Sequence, residues 1–379
     1  VILLLVADMN TIVIGGGQAG IALSYFLKQY HVEHLVLERD RAFSAWYNRW
    51  DSFRLNTANW MNVLPGMEGA FVPKKKWYDV ATRNEALDVF EDYVKVVDPP
   101  LKEGVAVRQV VEGEGVWEVE TEAETYRASN VVICTGYNFR EFVPDVSDEL
   151  PELVVQLHSS AYRNPEQITT ANVLIVGSGS SGVQICENLA QSEKFGKVFF
   201  AVSNNAVIPW SVLGIPIGAL VRSLPVFEIR RNSWLGRRIV QHWYRGDPAM
   251  APSPRWLSEN YGVELVGRVT DLGDGGIVCA DGKIVPVNEL TVIWCTGFRP
   301  DYGFVQAKHP AVVFDEMGPI HERGVSTGVS GLFFVGLKLQ HTVGSHLLRG
   351  VGRDAEYVAR KILEAARGQG RIVDRNFGR

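Results

Sequence analysis

Residues Thr11-Ile-Val-Ile-Gly15-Gly-Gly17-Gln18-Ala19-Gly20 constrain this chain more than any other stretch. A β-branched run meets a G-x-G-x-x-G turn, and apolar residues at helical spacing follow (Ala22, Tyr25, Phe26), so the local order is strand, tight turn, helix. Gly15 permits the sharp turn, Gly17 lets a pyrophosphate approach the backbone, and Gly20 lets helix and strand pack closely. The helix N-terminus favours the phosphate charge. An acid should end the next strand, and His34-Leu-Val-Leu-Glu38 supplies it, 21 residues beyond Gly17. Glu38, followed by Arg39, is placed to accept hydrogen bonds from the ribose hydroxyls of an adenine dinucleotide.

The same pattern returns 162 residues later in Asn172-Val-Leu-Ile-Val-Gly177-Ser-Gly179-Ser180-Ser181-Gly182, followed by a helix from Val183 to Gln191. The next strand, Val198 to Val202, ends in Ser203-Asn204-Asn205 with no acid. Without an acid for the ribose or an adjacent arginine for a 2′-phosphate, this second site does not choose between NADH and NADPH. Arg222, Arg230, Arg231, Arg237 and Arg238 read as solvated surface. A second echo joins Cys134-Thr135-Gly136-Tyr137 to Cys295-Thr296-Gly297-Phe298. In each half a small meander precedes that ending: Val105 to Val111, Trp117 to Thr121 and Thr125 to Ala128 before the strand Asn130 to Cys134, and Gly262 to Thr270, Gly276 to Ala280 and Lys283 to Val287 before Leu290 to Cys295.

The expected fold is therefore α/β, with two Rossmann-like dinucleotide-binding domains in a glutathione-reductase-like arrangement. The strand Leu332 to Gly336 and a helix from near His346 to about Ala366 follow the second domain, yet the first lacks a closing strand and helix. This places residues 9–150 and 291–379 in a discontinuous first domain and 151–290 in the second, with an irregular insertion at about 205–258. Residues 138–169, rich in Pro, Asp and Glu, read as a connection, and Asn84 to Val94 as an amphipathic packing helix.

Composition narrows the partners. A formal charge of -5 argues against nucleic acid, and Lys74-Lys75-Lys76 reads as a solvated loop. Four cysteines (Cys134, Cys186, Cys279, Cys295) stand far apart with no C-x-x-C, which fits free thiols in a reducing compartment, the cytoplasm. Eight histidines show no ligand spacing, so no metal site is expected. The apolar residues 1–8 lack a basic flank and are too short to span a bilayer, so Met9 is the expected natural start. Residues 198–221 carry no charge, but Pro209, Gly214, Pro216 and Gly218 interrupt them, so an apolar lid or channel loop is expected and no integral membrane segment. Homo-oligomerisation is left open.

Two adenine-dinucleotide sites imply a tightly held FAD and a transient NADPH or NADH, with hydride passing between them. The missing C-x-x-C decides against a disulfide reductase, so electrons must leave by dioxygen, a quinone or a one-electron carrier. Between the two turns lies Trp46-Tyr-Asn-Arg49-Trp50-Asp-Ser-Phe-Arg54-Leu-Asn56-Thr-Ala-Asn59-Trp60, dense in aromatics and hydrogen-bonding groups and without regular periodicity. It reads as a loop across the face of the cofactor, with Trp46 and Arg54 as contacts.

In combination, the two glycine turns, the two Thr-Gly strand ends (Thr135-Gly136 and Thr296-Gly297), His158-Ser-Ser-Ala-Tyr162 and Cys295-Thr-Gly-Phe-Arg-Pro-Asp301 resemble the flavin-containing monooxygenases. Trp50-Asp-Ser-Phe-Arg54-Leu and the His158 stretch look like those of bacterial flavoprotein monooxygenases linked by name to arsenical or metal resistance, or to potassium transport. The signature F-x-G-x-x-x-H-x-x-x-Y is half kept: His158 and Tyr162 match, whereas Glu152 and Val154 replace Phe and Gly. Tyr162-Arg163 also departs from the Trp-Pro of the Baeyer-Villiger version. His158 reads either as a structural hinge residue or as one linking domain motion to catalysis.

The resemblance implies that NAD(P)H reduces FAD, oxygen adds at the flavin C4a, and the hydroperoxide gives an oxygen to a small soft nucleophile at nitrogen or sulfur. It implies O2 and a small-molecule substrate as partners. It also places Asn56, counted back from Leu64-Pro65, at the active-site asparagine, with Asn59 as the alternate; loop capping through Asx turns is the structural reading of both. The alternative function is an NAD(P)H:acceptor flavin oxidoreductase without oxygen transfer.

Overall fold

The computed structural model describes residues 4–5, 9–72, 76–136, 140–203, 207–222, 226–243, 249–315 and 318–368. Lys74, Lys75, Tyr137, Asn204, Asn205 and the C-terminal residues 369–379 lie outside them.

The first sheet is organised around the strand Glu124–Ile133, whose last residues, Val-Val-Ile, are buried on both faces. Such a run needs cover on both sides, as parallel strands do. Met9–Ile14 pairs parallel along one edge and Leu332–Phe334 parallel along the other. The solvent-facing half of the strand instead pairs antiparallel with Trp117–Thr121, which pairs with Val107–Glu112. His34–Leu37 lies outside Met9–Ile14. The helices Gln18–Gln29 and Leu348–Gly368 cover one face, where Leu23, Leu27, Val351, Val358 and Ile362 form one core with Val13 and Val132. Thus the last strand and helix of the chain complete the sheet begun at Met9.

The sequence separates Thr125 to Ala128 from Asn130 to Cys134, but the structure runs them as one strand. Ala128, Ser129 and Asn130 are all buried there and make no turn.

The second sheet is wholly parallel, in the order Glu264–Val266, Lys197–Ala201, Asn172–Val176, Leu290–Trp294, Val155–His158. Two strands differ from the sequence reading. Val155–His158, inside the expected connection, is an edge strand held by partners more than 130 positions away, which no local period reveals. Glu264–Val266 joins the parallel sheet, so the antiparallel meander is Val269–Gly273, Gly276–Cys279 and Ile284–Val285. Leu290–Trp294 pairs residue for residue with Asn172–Val176, and the chain crosses back to the first sheet after it.

The segment expected to be irregular near 205–258 contains the helices Trp234–Trp243 and Pro254–Tyr261. The second has a legible start: Ser253 accepts the Trp256 N–H at 3.1 Å, and Pro254 occupies the first turn. One hydrophobic cluster joins the loops and helices around Phe43, Trp50 and Phe90 to the second sheet and its helix at Val183, Phe200 and Ile293. Among the described residues no helix is long and apolar enough to cross a membrane.

Candidate active site

The two glycine turns have one geometry. Gly15 (φ +107°) and Gly177 (φ +106°) adopt a backbone that L side chains avoid, and a Cβ on either would lie within 2.7 Å of the Cys134 or Cys295 carbonyl oxygen. A Cβ on Gly20 or Gly182 would meet the carbonyl oxygen of Gly15 or Gly177 at less than 2 Å. By contrast nothing lies within 4 Å of where a Cβ on Gly17 or Gly179 would point. Each of these residues is the N-cap of its helix, and no side chain caps either one. Each turn is therefore closed from behind and open in front, with helix N–H groups directed at an incoming phosphate. Gln18 and Ala19 begin the first helix and Ser180 and Ser181 the second. The Gln18 amide is turned away to the His346 carbonyl at 2.8 Å.

The strand ends beside the turns differ. Glu38, 8% exposed, accepts the Gly16 N–H at 2.6 Å on one oxygen and the Asp40 N–H at 3.0 Å on the other. In the second turn the Gly177 N–H bonds the Ala201 carbonyl as that of Gly15 bonds the Leu37 carbonyl, so Val202 stands where the first turn has the carboxylate, and the next residue, Ser203, donates its N–H to Ser178 Oγ at 3.0 Å. Arg39 lies at the surface beside Asp40, 3.4 Å away. Arg222 stacks 4.0 Å over the Trp77 ring and Arg238 4.7 Å over Trp234.

The loop expected to cross the cofactor is tied to the second domain. Gln184, on the helix after the second turn, is 7% exposed. Its amide accepts the Arg54 N–H at 3.0 Å, donates to the Arg54 carbonyl at 3.0 Å, and reaches the Asn56 Oδ1 at 3.1 Å. The Arg54 guanidinium pairs with Glu187, one helical turn further. Asn56 is otherwise exposed, whereas Asn59 is 4% exposed and donates to the Lys76 carbonyl at 3.1 Å. Trp46, half-buried, packs against Phe53 and Phe90.

Thr135 follows the central strand, and Gly136 turns the chain at φ +72°. Its counterpart Gly297 (φ +88°) accepts from His158 Nε2 at 3.1 Å and from the Phe142 N–H at 2.9 Å, while Thr296 donates to the Phe142 carbonyl. His158 Nδ1 contacts Ser160 Oγ at 2.9 Å, and burial, followed by the opposing pull of Glu141, leaves its pKa below the ordinary value. The strands Arg140–Glu141 and Phe298–Arg299 pair antiparallel above it, so His158 sits beneath the two crossings between domains. Tyr162, fully buried, donates to Asn188 at 2.7 Å. The four cysteines are all free and buried, and burial raises each thiol's pKa, Cys279 to about 11.

Three of the expected site residues carry a buried polar atom without a hydrogen-bond partner: Thr135 Oγ1, Asn59 Oδ1 and Arg54 Nε. Such atoms are costly in a finished interior. With the two open cradles, they fit a protein that completes its polar network with dinucleotides. Gln184, Ser178 and Asn59's burial are the parts that the sequence reading missed. No spacing marks them, since each partner comes from a different element.

Fold and site together define an oxidoreductase built for two dinucleotides. The chain belongs to the pyridine nucleotide-disulphide oxidoreductase family, whose model matches residues 12–205. Members of the family use FAD and NAD(P)H, and the two cradles fit that pair. An uncharacterized CzcO-like oxidoreductase of Geobacillus kaustophilus is 33% identical over 94% of this chain and 98% of its own. Rice (Oryza sativa) indole-3-pyruvate monooxygenase YUCCA8 is 27% identical over 91% of this chain and 88% of its own. The flavin-containing monooxygenase of Stenotrophomonas maltophilia has the same fold, with TM-score 0.73 and 22% identity over 95% of this chain and all of that one.

Proposed function

We propose that this protein is an NAD(P)H-consuming, FAD-dependent monooxygenase that oxygenates a small soft nucleophile at nitrogen or sulfur. The observation that carries the reading is the hold of Gln184 on Arg54 and Asn56: the loop beside the flavin turn hangs from the helix of the nicotinamide turn. Movement of the second domain therefore reaches the first domain's reaction face directly. The likeness to named monooxygenases supports the same reading.

FAD reduced by NAD(P)H would supply the oxygen chemistry, with one atom of O2 going to the substrate and the other to water. The chain's own residues bind, orient and enclose. Gly15 to Gly20 and Glu38 hold the flavin's pyrophosphate and ribose, and Gly177 to Gly182 hold the nicotinamide dinucleotide. Thr135 and Gly136 border the first cradle, Thr296 and Gly297 the second. Asn56 and Asn59 would offer amides to the flavin-nicotinamide face; the Asn59 Oδ1 has no partner within the chain. Trp60, whose Nε1 donates to the Gly218 carbonyl at 3.1 Å, joins that face to the insertion and helps to keep water out.

The test is turnover under 18O2 across amines, thioethers, indolic acids and arsenicals. One labelled oxygen atom in a product per NAD(P)H consumed is expected. Quantitative peroxide with no labelled product from any class overturns oxygen transfer and leaves an NAD(P)H:acceptor oxidoreductase.

A further inference from the structure

The insertion of the second domain carries a feature that dinucleotide chemistry does not use. Ser211–Val212 and Ile215–Pro216 form a two-stranded hairpin, with Val212 opposite Ile215 and only Leu213-Gly214 between them. Both loop residues have positive φ, +51° for Leu213 and +79° for Gly214, which is the geometry of a type I′ turn. The first position of such a turn favours Asn, Asp or Gly, because a branched apolar side chain is strained there. Leu213 occupies it nevertheless and is 97% exposed, flanked by Val212 at 41% and Ile215 at 49%. Local sterics and the hydrophobic effect thus both oppose a residue that this fold holds rigidly outward.

The base of the hairpin is fixed. The Ile217 N–H bonds the Trp210 carbonyl at 2.8 Å, and Gly218 is packed against Ala58 beneath Trp60. The tip projects from a firm mount and does not fold over the chain.

We propose that this tip inserts into the interfacial layer of an anionic phospholipid bilayer. Residues 198–221 contain no charge, so no ionised group must be dehydrated as the tip enters. The rest of the described insertion is basic in sequence: Arg222, Arg230, Arg231, Arg237, Arg238 and Arg255 stand against Glu228 alone, in a chain whose net charge is -5. A basic segment of this kind is attracted to anionic headgroups, and an apolar wedge in the same insertion supplies the second anchoring signal. A six-residue hairpin is far from the roughly 20–30 residues a side that a stable protein interface uses, whereas a bilayer asks for no shape match.

The experiment is co-sedimentation of the flavin-loaded full chain with vesicles of phosphatidylcholine and phosphatidylglycerol (3:1) and of phosphatidylcholine alone. Binding to the mixed vesicles is expected, weaker at high salt and weaker on pure phosphatidylcholine. Leu213→Asn suits the turn, so its melting temperature and NAD(P)H oxidation without vesicles should equal the parent's, while vesicle partitioning falls at least about tenfold. Paired Arg237→Glu and Arg238→Glu should weaken binding to the mixed vesicles only. No sedimentation with either vesicle, or partitioning unchanged in Leu213→Asn, overturns the proposal. So does a dimer in sedimentation velocity that Leu213→Asn abolishes, which would assign the tip to a second copy of this chain.

Discussion

The side-chain amide of Gln184 grips both backbone polar groups of Arg54, N–H and carbonyl, at 3.0 Å each, as a neighbouring strand would. The two glycine-turn halves of the chain are thereby joined at the loop that carries Asn56. Gln184→Leu leaves the Arg54 N–H and carbonyl without a protein partner, a loss of about 1–3 kcal/mol for a buried group and less where water reaches it. Chemical denaturation should show that loss, and the share of NAD(P)H oxidation released as peroxide should rise. Gln184→Glu keeps the acceptor for the Arg54 N–H but not the donor to its carbonyl or to Asn56. It should unfold closer to the parent yet still leak peroxide; a tightly coupled Gln184→Leu variant would remove the residue from the mechanism.

The two asparagines separate by burial. Asn56 reaches solvent and is held by Gln184, while Asn59 is enclosed with an unpartnered Oδ1. Asn56→Ala should keep FAD bound and turn over NAD(P)H mainly to peroxide. Asn59→Ala removes both the unpartnered oxygen and the bond to the Lys76 carbonyl, so it should lower product formation and loosen the 59–76 contact together. Product yield per NAD(P)H, measured for both, decides which amide serves the reacting face; equal yields to the parent in both would eliminate the pair.

Much of this architecture is legible in the sequence because it is enforced by backbone approach. Gly15, Gly20, Gly177 and Gly182 sit where any side chain would collide with a carbonyl, so their spacing reports a three-dimensional turn directly. Glu38 is legible because the acid must end the adjacent strand. Gln184 is not: it lies on a helix face at an ordinary position and its partners are about 130 residues away. Val155–His158 is hidden for the same reason, being a four-residue strand defined by Leu290–Trp294 and lacking a period of its own. Leu213 at the hairpin tip reads as one more apolar residue in an uncharged run until its φ and exposure are known.

Glu38 is held by the Gly16 and Asp40 N–H groups, so its carboxylate is already aimed at the first turn. Glu38→Ala removes that anchor and the acceptor for the ribose hydroxyls together. Hydrogen bonds to a charged group are worth about 1.5–3 kcal/mol, which corresponds to flavin affinity falling roughly tenfold or more. Flavin retained through gel filtration, then titrated back by fluorescence, measures it; undiminished retention would place the ribose elsewhere.

Val202 occupies in the second turn the place that Glu38 holds in the first: its N–H bonds the Val266 carbonyl as that of Glu38 bonds the Lys102 carbonyl. An apolar side chain there neither demands the free 2′-OH nor repels a 2′-phosphate, so kcat/KM for NADH and NADPH should agree within roughly a hundredfold. Val202→Glu should shift the ratio toward NADH by repelling the phosphate. A parent preference beyond that range would reveal a phosphate clamp.

His321 gives the fold an acid limit. Its Nδ1 accepts the Gly324 N–H at 3.0 Å, so the neutral ring closes the turn between the strands His321–Glu322 and Val325–Ser326. Burial, reinforced by the charge of Arg231, lowers its pKa to about 4 from 6.5. Because the folded value lies below the unfolded one, the stabilisation is fully present above about pH 6.5 and is lost as pH falls toward 4, where the unfolded chain binds the extra proton. A fall from 6.5 to about 4 bounds the loss at roughly 3 kcal/mol. His158, also lowered, titrates in the same sense, so the test needs a variant. His321→Asn should be less stable than the parent at pH 7.5 and should lose less on acidification, measured as urea unfolding free energy at pH 7.5, 6 and 5. Parallel curves for parent and variant would exclude His321 as the group responsible.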